Sequence, residues 1–212
     1  MLDTVIRFFQ SGGPFMYPIL VVLAIGVTIT IERYIYLTSC KRSNQKVLAK
    51  IMPLLEKGEM NSVIQLTRES NSTVSKILGQ GLNNFSATRR RDDIEASMEE
   101  SIMEAIPRLE KRTHYLAMFA NIATLLGLLG TIIGLIKAFT AVAQVDPSMK
   151  AEILSTSISV AMNTTAFGLM VAIPLLLFYT LLQTKTTEII DSIEMATVRF
   201  VNQLTRQKGS GQ

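Results

Sequence analysis

The stretch that decides the fold is HYLAMFANIATLLGLLGTIIGLI, residues 114–136, closed by Lys137. It runs for a bilayer's worth of length with no Asp, Glu, Lys or Arg. About 20 apolar residues in a helix cross the roughly 30 Å hydrocarbon layer of a membrane. Two further stretches share this property. Residues 12–31 stop at Glu32-Arg33, and residues 153–184 stop at Lys185. The third is long enough to tilt or to protrude at one end. Three buried core helices of this length would need a much larger soluble protein around them, so three transmembrane helices are expected. The first stretch lacks the Lys/Arg-rich start and small-residue cleavage site of a secretory signal, and reads as retained.

Composition agrees. Of 212 residues, 48% are apolar and only 18% charged, against about 25% charged in soluble domains. The single cysteine, Cys40, excludes an internal disulfide. With one histidine, His114, little is left for a zinc site or a Cys/His catalytic pair. No set of nucleophile, base and metal ligands converges, so neither an enzyme nor a metal or cofactor is expected.

The net charge of +4 is a topology signal. Thirteen of the 21 Lys and Arg residues fall between positions 39 and 113, and four more follow Thr184. Arg7 is the only one before the first span, and Lys150 stands alone near the loop around 144–150. Cytoplasmic loops carry the excess of Lys and Arg. The N-terminus is therefore expected outside, residues 39–113 inside, the 144–150 loop outside and the tail inside. The excess also attracts anionic lipid. Arg89-Arg90-Arg91 could suggest nucleic acid, but Asp92, Asp93 and Glu95 follow at once. A solvated helix start reads better.

The expected organisation has seven parts. A periplasmic-side amphipathic segment, 1–11, has Leu2, Val5, Ile6 and Phe9 on one face. The first span is 12–38, a cytoplasmic helical domain 39–113, the second span 114–143, a periplasmic loop 144–151, the third span 152–184 and a cytoplasmic helical tail 185–212. Within the cytoplasmic part, helical spacing links Val47, Leu48, Ile51, Leu54 and Leu55 up to Gly58, then Val63, Ile64 and Leu66, then Val74, Ile77, Leu78 and Leu82. From Asp92 an amphipathic stretch leads into the second span. No turn signal interrupts it, so one continuous helix is expected, kinked or loosened by Pro107. Asp146-Pro147 suits an N-cap and first helical position, which starts the third helix near Pro147 and carries it to about Leu204. Residues 207–212 read as a frayed tail. Glu32 and Arg33 are expected to pair at the interface. The fold class is thus an all-α membrane protein with three transmembrane helices, the second and third long and extending into a helical cytoplasmic domain.

Small residues mark one face of the second helix: Ala120, Thr124, Gly127, Thr131, Gly134, Ala138 and Ala141, with Gly130 beside them. Ser157, Ala161, Thr165 with Thr164 beside it, Gly168 and Ala172 form a shorter stripe on the third. Such stripes let membrane helices approach closely, and packing alone could explain every member. Thr131 and Thr165 stay open between two readings. Each hydroxyl could bond back to the carbonyl four residues earlier and do no more. Alternatively the stripes line a narrow, partly wet path. Asn121 and Asn163 could bond between helices. No Asp, Glu, Lys, Arg or His lies between residues 115 and 136 or between 153 and 184, and such groups usually mark ion routes. A proton path would need a carboxylate from another subunit. Pro174 deprives the Met170 carbonyl of its donor and is expected to bend the third helix after its stripe.

These residues resemble a known family. Leu125-Leu126-Gly127-Leu128-Leu129-Gly130-Thr131-Ile132-Ile133-Gly134-Leu135-Ile136, with Phe139 beyond, is similar to the second-helix signature of the MotA/TolQ/ExbB proton-channel family. Thr165-Ala166-Phe167-Gly168-Leu169 and Ala172-Ile173-Pro174 resemble its third-helix signature. Gly12-Gly13-Pro14, Met16-Tyr17-Pro18 and Ile31-Glu32-Arg33 resemble the first span of ExbB-type members, and Pro107-Arg108-Leu109-Glu110 the approach to the second. The resemblance implies a homopentamer in the bacterial inner membrane around a dimeric ExbD- or TolR-like single-span partner whose membrane aspartate carries the proton. It implies work passed to a TonB- or TolA-like periplasmic protein that energises outer-membrane transport. The family's partner-facing threonines map onto Thr131 and Thr165, with Thr164 and Thr124 nearby. Gly127, Gly130, Gly134, Ala138, Ala161, Gly168 and Ala172 are the expected packing positions. Two positions depart from the pattern: Thr124 stands where a proline usually precedes the Leu-Leu-Gly run, and Val160 where ExbB and TolQ proteins commonly carry a glutamate. Three spans fit the ExbB and TolQ branches better than the four-span flagellar type. A TolQ-like role in envelope maintenance and a sodium-driven variant remain as alternatives.

Overall fold

The computed structural model describes residues 8–9, 12–87 and 90–209. Among them the secondary structure is helical, without strands. Six helices follow one another: α1 Met16–Glu56, α2 Met60–Glu69, α3 Thr73–Ala87, α4 Arg91–Glu110, α5 Thr113–Val142 and α6 Lys150–Gly209. Three runs are long and apolar enough to cross a membrane: α1, the run from Arg91 to Val142, and α6. The expected amphipathic segment falls mostly outside the described residues; only Phe8 and Phe9 belong to them, and both are helical.

The chain divides into two compact units. The membrane unit joins the start of the chain up to Glu32 with Arg112–Leu181. It opens on Gly13, whose φ of 74° suits glycine, and α1 begins three residues later. Its interior is made by Met16, Ile19 and Val22 from α1, Leu116, Ala120 and Ala123 from α5, and Ala161, Val171, Ala172 and Leu175 from α6. Large apolar side chains point outward instead: Leu125, Ile136 and Phe139 on α5 and Leu177 on α6 are each at least 60% exposed. Water would penalise such a surface at about 25 cal/mol per Å²; hydrocarbon does not. Small residues buried where α5 and α6 meet, with large apolar side chains facing outward, is the arrangement of helices packed in lipid.

The second unit joins Arg33–Lys111 with the end of the chain from Leu182. Its core is that of a water-soluble bundle. Leu37, Ile51 and Leu55 of α1 are buried, with Val63 of α2, Ile77 and Leu78 of α3, and Ile94, Met98 and Ile102 of α4. On α6 the buried positions are Leu182, Thr186, Ile189, Ile193, Ala196, Phe200 and Leu204, three or four apart as one helical seam requires. Asn44, 1% exposed, accepts the Val74 N–H on Oδ1 and so ties α1 to the first turn of α3. α1 ends in a Schellman-type turn: Gly58 has φ 77° and the Glu59 N–H donates to the Leu54 carbonyl at 3.0 Å.

Four local expectations are corrected. The helix leading into the second span is not continuous. It stops at Glu110, and Arg112 adopts a left-handed conformation, φ 65°, before α5 starts. Pro107 lies in the last turn of α4 and the break follows it; the freed Leu109 carbonyl accepts a hydrogen bond from the Arg33 guanidinium. Glu32 and Arg33 do not pair with each other. Consecutive helical residues point about 100° apart; Glu32 bonds Arg112 at 3.4 Å, while Arg33 is buried and stacks on Tyr36 at 4.7 Å. The third helix starts at Lys150, not Pro147. Asp146-Pro147 instead forms a turn, the Met149 N–H donating to the Asp146 carbonyl at 3.0 Å, and this shorter loop closure precedes the first helical bond. The tail stays helical beyond Leu204, to Gly209.

Candidate functional site

The site lies in the membrane unit, where α5 and α6 meet. Glycine makes the approach possible. A Cβ on Gly127 would lie 3.2 Å from the Thr165 Cα and 3.3 Å from the Thr164 carbonyl oxygen; one on Gly168 would lie 2.7 Å from the Ala123 carbonyl oxygen. The two backbones thus touch with no side chain between them. Seven residues further up α5, a Cβ on Gly134 would meet the Ala161 Cβ at 2.9 Å. Moving from Gly127 to Gly134 therefore moves the contact from Gly168 down to Ala161, so the helices run antiparallel in register. Ala138, Ala161 and Ala172 are buried with them. Gly130 faces Thr164 and Phe15.

Close backbones bring the hydroxyls together. Thr131 and Thr165 bond each other across the two helices. Thr131 also donates toward the Gly127 and Ala161 carbonyls at 3.2 and 3.3 Å, and Thr165 reaches the Gly127 carbonyl at 2.9 Å. The back-bond to the preceding turn is present for Thr131, but for both residues the cross-helix contacts exceed it. Both are half-buried, at the rim of the contact. Thr164 is buried at 2% exposure and bonds the Gly12 and Val160 carbonyls. Thr124 is exposed and bonds back to Ala120 at 3.1 Å. The face that packs is therefore Ala120, Ala123, Gly127 and Gly130, with Thr124 beside it.

The level of the pair is fixed by the segment that leads into α1. Gly12 meets Thr164, and Phe15 lies beside Gly130. Phe9 packs edge-on against Phe167 at 5.9 Å and Tyr17 at 5.3 Å. The threonines thus sit where the first span begins, and α5 continues twelve residues, about 18 Å, beyond Gly130 to Val142. Pro174 lies inside an unbroken α6. Next to it Leu175 packs where a Gly26 side chain would otherwise be, 2.6 Å from the position of its Cβ.

Chemically the wall is neutral. Residues 115–136 and 153–184 hold no Asp, Glu, Lys, Arg or His, and the described residues contain no group of His, Cys, Asp and Glu able to hold a metal. What the site offers is hydroxyls and carbonyls in a row. Sequence reading missed the roles of Ala123 and of the Gly12 carbonyl. Ala123 has the small size and the spacing from Gly127 that could have placed it; the carbonyl has no sequence signal at all.

Three features define the class: antiparallel small-residue helices, a hydroxyl pair at their rim, and a helical unit outside the spans. A model of the MotA/TolQ/ExbB proton channel family matches residues 69–195, and the chain belongs to that family. More particularly, it is similar to an ExbB homolog of Methanothermobacter thermautotrophicus, with 30% identity over 194 residues, 91% of this chain and 67% of that protein. It is 24% identical to the biopolymer transport protein ExbB of Neisseria gonorrhoeae over 92% of this chain and 96% of that one. With the Tol-Pal system protein TolQ of Haemophilus influenzae the match is 28%, over 51% of this chain and 46% of the other. The chain is thus a multi-pass membrane protein of the ExbB/TolQ type, a transport energiser of the channel class.

Proposed function

We propose that this chain is the wall-forming subunit of a proton-driven motor in a bacterial inner membrane. Copies of it, five by family resemblance, surround an ExbD- or TolR-like single-span partner that supplies a membrane aspartate. Thr131 and Thr165 face that carboxylate; Thr164 and Thr124 support the wall. Proton passage moves the partner, and a TonB- or TolA-like protein carries the work to outer-membrane transport. The N-terminus is outside and the C-terminus inside. The observation that carries this reading is the combination of a hydroxyl pair at the helix rim with two segments, 115–136 and 153–184, that hold no Asp, Glu, Lys, Arg or His. Such a wall can hand a proton or a water along, but cannot itself bind and release one near neutral pH.

The test compares two variant classes in cells that depend on energised uptake. Thr131→Ala and Thr165→Val remove hydroxyls and leave the glycine contact in place. Uptake should fall while the purified oligomer keeps its size. Normal uptake in both variants would sink the role of the threonines. Uptake in sodium-free buffer, with and without a protonophore, separates the proton reading from a sodium-driven one. The full-length match to ExbB-type relatives favours that branch over TolQ.

A further inference from the structure

Outside the spans, α1, α3 and α4 enclose a cavity of about 450 Å³ within the second unit. That lies in the range of small-molecule sites, roughly 300–1,000 Å³. Its lining includes both signs of charge: Lys76 and Arg108, and Glu100 and Glu104. Tyr36 and Leu109 also line it. Arg108 and Glu104 bond each other at 2.7 Å, yet both side chains are more than 60% exposed. An exposed pair of this kind holds its geometry weakly, by about 0–1 kcal/mol, so both groups are available to a ligand.

The level of the cavity narrows the ligand. Tyr34 and Ile35 are 54% and 63% exposed, four residues or fewer beyond exposed Ile31, so the lipid-facing surface of α1 reaches Tyr36. Tyrosines gather where hydrocarbon meets headgroups. Thr73, another lining residue, lies beside Cys40 at 3.6 Å, one helical turn past Tyr36, or about 6 Å. The headgroup layer is about 5–8 Å thick on each side. Measured along α1, the cavity lining thus lies within one headgroup thickness of Tyr36.

We infer that this cavity binds a phosphodiester carrying a primary ammonium, the chemistry of an ethanolamine phospholipid headgroup. Lys76 and Arg108 take the phosphate oxygens, and Glu100 and Glu104 take the N–H donors of the ammonium. The same chemistry occurs in soluble glycerophosphoethanolamine, and the experiment distinguishes the two sources. Full-length protein is reconstituted in nanodiscs of phosphatidylethanolamine, phosphatidylcholine and phosphatidylglycerol in equal parts, and retained lipid is read by native mass spectrometry. The wild type should retain phosphatidylethanolamine over phosphatidylcholine, whose trimethylated nitrogen has no N–H. Lys76→Ala with Arg108→Ala should lower that retention roughly tenfold or more, as loss of charge-assisted bonds requires. Glu100→Gln with Glu104→Gln should abolish the preference between the two lipids. Helix content and oligomer size, measured alongside, show that the variants are folded. Soluble glycerophosphoethanolamine that displaces the lipid shows that the headgroup alone suffices; lipid that resists it while the variants lose it assigns the site to the membrane. Equal retention of the two lipids by the wild type, or equal retention by wild type and the lysine–arginine variant, overturns the assignment.

Discussion

At the scale of single residues, Arg33 is a buried charged side chain held by two contacts. It is 2% exposed, stacks on Tyr36 and donates to the Leu109 carbonyl, which the end of α4 leaves without a helical partner. Arg33→Met keeps the bulk and removes the donor. A buried acceptor stripped of its donor costs about 1–3 kcal/mol, so thermal unfolding in detergent should show a lower Tm, and Arg33→Lys should recover it only in part because a lysine cannot present the same planar fork. The sequence showed Arg33 as the end of an apolar run and suggested Glu32 as its partner. Its partner lies 76 residues away, and no local pattern announces such a contact. Thr131 and Thr165 were legible because a hydroxyl on a small-residue stripe breaks an otherwise apolar face. Their mutual bond was not, since the two stripes alone do not fix how far one helix slides along the other.

At the scale of elements, the α5–α6 contact should tolerate no added carbon at its centre. Gly168→Ala places a methyl 2.7 Å from the Ala123 carbonyl, and overpacking of this kind costs about 1–3 kcal/mol. Gly79→Ala is the opposite case. Its nearest neighbour would be 3.8 Å away, and alanine in a helix interior gains roughly 0.5–1 kcal/mol over glycine. Unfolding temperatures of the two variants should therefore move in opposite directions. Where α6 leaves the span, Glu188 bonds Lys41 at 2.6 Å. The bond and charge of Lys41 hold the Glu188 carboxyl below its ordinary value of 4.5. A depressed carboxyl stabilises the fold above its ordinary pKa, and the contribution is lost as pH falls below 4.5 through the lowered value. Both groups are half-exposed, so the effect is small. Glu188→Gln should flatten the acid limb of a stability–pH profile and leave stability near pH 7 only slightly changed. Helix existence was legible throughout, from apolar runs in the spans and from three-and-four spacing elsewhere. The break at Arg112 was not, because neither glycine nor asparagine marks it; a left-handed arginine is tolerated there beside Glu32.

At the scale of the whole molecule, the distribution of Lys and Arg predicts its orientation. In a Cys40→Ser background, Ser148→Cys should react with a membrane-impermeant maleimide in spheroplasts, and Glu59→Cys only after the membrane is opened. Both positions are exposed, so the reverse pattern would invert the topology. The neutral wall has an electrical consequence. A membrane potential does about 2.3 kcal/mol of work per 100 mV on each unit charge it carries across. With no ionisable Asp, Glu, Lys, Arg or His between residues 115 and 136 or 153 and 184, shifting these segments through the field moves no formal charge. The voltage has nothing to pull on in these two segments; under the proposed function, the work of the gradient would therefore arrive on a charge that the partner carries.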